Sequence, residues 1–242
     1  MSHSEFLEIS QLKWGPVTYK IRGLRDYHNP SFVESHCLRM EQHEFPISVR
    51  QTEFEFLKKL IIDYDLKNGF ELATAFGVST VALGLGFKQT GGKLITMDSY
   101  VEEVNNTCHY ESLEYQLHSD SDGWKSVNYL IEHFRLKDVV SPDIGWSPQD
   151  TGLVISRHTT SKLDFVFLDA GHFPEQVMRD LNGIKNFLCD EYVIALHDYY
   201  DSVFPNHVVN WIVENFGVEP KIALHAPKGD NLALIVKKPL SK

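Results

Sequence analysis

Cysteine is scarce in this sequence. The three present, Cys37, Cys108 and Cys189, are scattered, odd in number and free of any CxxC spacing. They read as free thiols in a reducing compartment, which excludes a disulfide frame and a zinc ribbon. Clustered positive charge is also missing. Lys and Arg number 23 against 33 Asp and Glu, for a formal net charge of −10 with no basic block. That argues against nucleic acid as the main partner, because phosphate contacts need grouped cations. No apolar run reaches membrane-spanning length, and the opening MSHSEFLEIS has no basic-then-apolar signal pattern. The expected location is the cytoplasm. Internal repeats and low-complexity segments are absent as well.

What is present suits an ordinary globular chain. Hydrophobic residues make up 43% and charged residues 23% of 242 positions, enough for one α/β domain with a sizeable core. The chain is organised around Phe70 to Thr80, FELATAFGVST, followed by the apolar run Val81 to Leu85. A short apolar segment with an acid, Glu71, turns through small residues to Gly77 and enters a helix through Ser79 and Thr80. Hydroxyls at a helix entrance satisfy free N–H groups, and those N–H groups also attract anions. KLITMD (Lys93 to Asp98) reads as a second buried strand. Its terminal acid, about twenty residues past the loop, suits the two hydroxyls of a ribose.

Around this centre the pattern predicts a regular alternation. Residues 1–48, with Pro16, Pro30 and Pro46, form an N-terminal extension or lid. A domain over 49–242 then opens with an amphipathic helix carrying Phe54, Leu57, Leu60, Ile61 and Tyr64 at helical spacing. Residues 99–123 form a polar insertion, longer than a βα connection needs, and Trp124 to Phe134 is helical. A third strand spans Asp138 to Gly145. LDFVFLDAGHF (Leu163 to Phe173) holds a continuous apolar run, as a central parallel strand requires, and Pro174 opens the next helix. EYVIALHDYY supplies a fifth strand, and KIALHAPKGDNLALIVKK a closing antiparallel hairpin. The expected fold is α/β, a Rossmann-like, doubly wound, mostly parallel seven-stranded sheet. Trp124, Trp211 and Phe216 read as core aromatics.

Ligands of such a sheet sit outside the carboxyl ends of its strands. Those ends carry Glu71, Asp98, Ser147 with Asp150, Asp169 with His172, and His197 with Asp198. The order E-x-A-T-A-x-G-x-S-T, an acid after strand two and G-x-S after strand three resembles the class I S-adenosylmethionine-dependent methyltransferases. LDFVFLDAGHFPEQVMRDL followed by VIALHDYY is similar to their D-x-x-H…HD branch, which includes macrocin-type and related metal-dependent small-molecule O-methyltransferases. The resemblance runs from about Arg50 to Val236.

The resemblance implies roles by position. Glu71, Ala73, Gly77, Ser79 and Thr80 would hold the amino-acid end of S-adenosylmethionine, with Ser79 near its carboxylate. Asp98 would bind the ribose, and Trp146 and Ser147 would flank the adenine. Asp169, also near the cofactor, would bind a divalent metal with His197 and Asp198, Mg²⁺ being the first candidate. His172 would be the general base, since a neutral imidazole accepts a proton near pH 7. Ala73 and Ala75 stand where many relatives carry glycine, which narrows backbone approach. His197 stands where relatives tend to have an acid, and imidazole better suits a transition metal. The implied partner is a small-molecule methyl acceptor, without nucleic acid or membrane, and a homodimer is open. Two other readings stay open: a hydroxylase-like enzyme using iron on the same fold, and a non-catalytic cofactor-binding protein.

Overall fold

The structure is a computed structural model that describes residues 5, 49, 51–99, 122–225 and 231–237. All of the expected N-terminal extension but Glu5, nearly all of the 99–123 insertion and the tip of the terminal hairpin lie outside the described residues.

The first helix described, α1 (Gln51–Asp63), forms where expected, with Phe54, Leu57, Leu60 and Ile61 all buried. Strand β1 (Asn68–Leu72) leads into α2 (Val78–Thr90), which begins at Val78, before Ser79 and Thr80. Gly91, left-handed at φ 72°, ends α2 by returning its N–H to Phe87. Then follow β2 (Lys93–Asp98), α3 (Asp122–His133), β3 (Val140–Ile144), α4 (Thr151–His158), β4 (Leu163–Leu168), α5 (Pro174–Lys185), β5 (Leu188–Leu196), α6 (Asn206–Phe216), β6 (Lys221–Leu224) and β7 (Leu232–Val236). Strand β3 is shorter than the expected span and sits at an edge of the sheet, where Pro142 removes no ladder bond that a second neighbour would need.

The seven strands run in the order β3-β2-β1-β4-β5-β7-β6. The first five are parallel, and β7 is antiparallel to both β5 and β6. The hairpin therefore folds back so that its second strand is the inner one. Burial explains the choice: Leu232 to Ile235 are buried, whereas Lys221, Ile222 and Ala223 are exposed.

Alternation along the strands divides the core in two. Phe165 and Phe167 of β4 face a cluster built from α1, α2 and α3, while Val166 and Leu168 face one built from α4, α5 and α6. Helices α1 and α2 pack closely because α2 presents Gly86 there. A Cβ at Gly86 would stand 2.7 Å from Cβ of Ile61. The chain leaves β1 outward to β2 and β3, then returns to β4 on the other side, so the crevice of the sheet lies between β1 and β4. Among the described residues no helix is long and apolar enough to cross a membrane.

Candidate active site

The loop after β1 is built from left-handed residues. Ala73, Ala75 and Gly77 have φ of 69°, 47° and 89°. Only glycine takes such angles freely, so the two alanines keep a path that costs each of them about 1–2 kcal/mol. Hydrogen bonds hold them there: Ala73 N–H donates to the Met97 carbonyl, Gly77 N–H to the Thr74 carbonyl, and Ala75 N–H to Oδ2 of Asp98 at 2.8 Å. Gly77 also lies against α3, where an added Cβ would come within 3.0 Å of Val127.

The hydroxyls of Ser79 and Thr80 do not cap α2, as the sequence suggests. They turn inward with Thr96, and all three donate to the Glu71 carboxylate at 2.6 Å. Glu71 is fully buried beneath α2. Burial pushes it up to about 7, against the pull of the three hydroxyls. Glu71 thus anchors the loop from inside, its carboxylate taken up by these three hydroxyls. The amino end of α2, at Gly77, has no side-chain cap. With the N–H groups of Ala73, Ala75 and Gly77 already paired, the backbone N–H groups of the first turn of α2 are the ones that suit an anion.

At the end of β3, Trp146 N–H donates to Asp150 Oδ2. The hydroxyl of Ser147 is committed to Asp180 Oδ1, which Gln176 also reaches. Asp180 is 1% exposed, and burial pushes its carboxyl up to about 6.

The ends of β4 and β5 bring Asp169, His172, His197 and Asp198 together. Asp198 takes φ 49°, which turns its carboxylate beside that of Asp169. Asp169, His172 and Asp198 each offer a ligand atom, all within 4.8 Å of one another. An imidazole flanks the carboxylates on either side. His172, on the outer side, sets Nε2 2.9 Å from Asp198 Oδ2 and 4.0 Å from Asp169 Oδ1, with 48% of its side chain exposed. His197, on the inner side, sets Nδ1 2.9 Å from Asp169 Oδ1 and 3.5 Å from Asp198 Oδ2, with 10% exposed. A cavity of about 10 Å³, room for about one water, opens between Asp169, His172 and His197.

Charge balances inside this group. Burial alone would raise Asp169, but His197 and His172 outweigh it and hold its carboxyl below the usual range. The same two rings hold Asp198 well below that range against its burial. Burial would lower His197, yet Asp169, Asp198 and Glu53 raise it well above an ordinary imidazole. Asp169 and Asp198 push His172 up to about 9. Beside two bare carboxylates the charged form of His172 is favoured over the neutral ring that a general base needs.

Three buried side chains that carry this geometry have no role in the sequence reading: Glu53, Thr96 and Asp180. Two of them had a legible signal. Glu53 shares a helix face with Leu57 and Leu60, and Asp180 shares one with Val177 and Ile184, so each is an acid on an apolar stripe. Thr96 lies inside a strand that reads as continuously apolar and gives no such sign.

Residues 70–199 match the profile of a protein family described as a methyltransferase domain. Solved structures share the fold at low identity. The O-methyltransferase TomG from Streptomyces achromogenes, involved in tomaymycin synthesis and solved with SAM, is 15% identical, covering 98% of this chain and 99% of its own, with a TM-score of 0.60. An O-methyltransferase from Bacillus cereus, solved with SAH, is 18% identical over 89% of this chain and 96% of its own, with a TM-score of 0.57. The SAH-bound methyltransferase PaMTH1 of Podospora anserina is 14% identical over 87% and 89%, with a TM-score of 0.57.

Proposed function

The chain belongs to the methyltransferase-domain family, and from that premise we propose that it transfers the methyl group of S-adenosylmethionine to a hydroxyl of a small molecule. One observation carries the reading. The left-handed loop with its uncapped helix start and the Asp169–His172–His197–Asp198 group stand side by side at the switch point between β1 and β4.

The residues present suit the cofactor. Backbone N–H groups at the start of α2 would meet the methionine carboxylate, Asp98 would accept from the ribose hydroxyls, and Trp146 would lie beside the adenine. They also suit a divalent cation. Among the described residues Nδ1 of His197 has no aligned hydrogen-bond partner, and it lies 2.9 Å and 3.5 Å from the two carboxylates, so Asp169, Asp198 and His197 would hold the ion. When bound, such an ion lowers the pKa of a coordinated hydroxyl.

Methyl transfer is an in-line displacement. The acceptor oxygen forms a bond to the methyl carbon as the carbon–sulfur bond breaks, so positioning supplies much of the acceleration. His172 stands on the solvent side of the carboxylates and would take the hydroxyl proton at Nε2; a cation held by Asp169 and Asp198 would draw their charge away from its ring. Phe173, next in sequence and 64% exposed, gives the same mouth an apolar surface for the body of an acceptor.

Incubation with S-adenosylmethionine and a panel of small hydroxylated compounds, followed by mass spectrometry, tests the reading. A methyl ether on one compound, lost in His172→Ala, supports it. Oxygen consumption with Fe²⁺ and no methylated product overturns it.

A further inference from the structure

The buried contact between α1 and the end of β5 gives His197 a defined direction. Oε1 of Glu53 lies 3.0 Å from Nε2 of His197, with Glu53 1% exposed and the histidine side chain 10% exposed. A carboxylate only accepts, so the proton of this bond belongs to Nε2. The other ring nitrogen, Nδ1, is buried, lies 2.9 Å and 3.5 Å from the Asp169 and Asp198 carboxylates, and has no aligned hydrogen bond to either. With Glu53 holding Nε2–H, Nδ1 is the ring nitrogen left beside the two carboxylates. A cation bound by these carboxylates would take the place of the Nδ1 proton. The ring has little freedom to swing away, because it packs edge-on against Phe167 with centroids 6.0 Å apart.

We infer that Glu53 is a positioning residue: by holding Nε2–H of His197 it turns Nδ1 into an inner-side metal ligand, completing a His-plus-two-carboxylate set with Asp169 and Asp198. The inference rests on the proposed reading of this site as cation-binding. Ligating histidines characteristically donate their second N–H to a carboxylate, which fixes the tautomer and raises ligand basicity. A set with one imidazole favours a borderline ion such as Mn²⁺ over Mg²⁺. Glu53 comes from a helix that sequence pattern marks only as amphipathic, so the site draws on α1 as well as on the strand ends. His172 stays outside the set, on the exposed side, free to exchange protons with a bound acceptor.

Mn²⁺ binding to the purified full-length protein tests the assignment. Affinity is measured by electron paramagnetic resonance, and directly bonded ¹⁴N is read by electron spin-echo modulation. The protein should bind Mn²⁺ more tightly than Mg²⁺ and show ¹⁴N modulation that disappears in His197→Ala and persists in His172→Ala. Glu53→Ala should weaken Mn²⁺ binding about ten- to a hundredfold. Glu53→Gln, which keeps an oxygen to accept from Nε2, should recover most of that loss. Modulation that vanishes in His172→Ala instead, or equal Mn²⁺ affinity in both Glu53 variants and the parent protein, overturns the assignment. So does an absence of Mn²⁺ binding at millimolar concentration. Calorimetry with S-adenosylhomocysteine on the same samples separates this from the proposed activity: cofactor binding without Mn²⁺ binding sinks the metal assignment alone.

Discussion

Glu53 and His197 stand 144 positions apart in sequence and 3.0 Å apart in space. Their contact makes the first described helix part of the strand-end site. It also has a stability consequence, separate from any ligand. Glu53→Leu fills similar volume but leaves a buried N–H without an acceptor, so stability in urea should fall by about 1–3 kcal/mol. Glu53→Gln should stay within about 1 kcal/mol of the parent. Equal losses in the two variants would mean that side-chain volume, and not the hydrogen bond, holds the helix.

A second buried acid governs pH dependence. Folding lifts the Glu71 carboxyl from an ordinary 4.5 to about 7, chiefly through burial. The fold thus favours its protonated form. Its stabilising contribution is fully present below about pH 4.5, is lost as pH rises through about 7, and is flat above. The span corresponds to a difference on the order of 3 kcal/mol. Glu71→Gln removes this dependence. Urea unfolding from pH 4.5 to 7.5 should therefore show the variant gaining on the parent by that order. Parallel curves would mean that the hydroxyls of Ser79, Thr80 and Thr96 compensate the buried charge fully.

The alanines of the loop make a third test. Ala73 at φ 69° and Ala75 at φ 47° sit where an L residue is strained. Glycine relieves about 1–2 kcal/mol of strain and returns about 0.4–1 kcal/mol through the freer unfolded chain. Each Ala→Gly change should thus stabilise by about 0.5–1 kcal/mol, read from urea midpoints, and Ala75→Val should destabilise by more than either gain. A loss of stability in both glycine variants would show that the loop does not hold these angles in solution.

The opposite end of the sheet supplies a control. The Asp164 carboxylate accepts from the N–H groups of Lys67 and Asn68 at 2.9–3.1 Å, pinning the start of β1 to β4. Asp164→Ala should cost about 1.5–3 kcal/mol. Affinity for S-adenosylhomocysteine should stay within about twofold, because the site lies at the other end of these strands. A large affinity change would mean that the strand starts and the site are coupled through the sheet.

The fold was legible because its signals are local and repeated. Phe165 to Leu168 could only be a strand covered on both faces, and Phe54, Leu57 and Ile61 could only be one helix face. The family was legible for the same reason, since FELATAFGVST and the D-x-x-H…HD ends lie in short contiguous stretches. Which way a side chain turns was harder to read. Nothing local tells that Ser79 and Thr80 serve Glu71 instead of capping α2, because the deciding partner, Thr96, comes from the next strand. The inner position of β7 depended on comparing burial between two hairpin strands. Glu53 joined the site only through the packing of α1 on α2, a long-range fact set by Gly86 and Ile61.

The central claim is that the loop after β1 and the acid at the end of β2 hold S-adenosylmethionine. Titration calorimetry with S-adenosylhomocysteine tests it most directly, on the parent protein and on Asp98→Ala. Asp98 stands at the end of β2 and accepts from the Ala75 N–H. The account predicts one-to-one binding, weakened at least about tenfold in Asp98→Ala, as loss of a charged hydrogen-bond acceptor implies. No binding heat at millimolar ligand, or equal affinity in the variant, would contradict it.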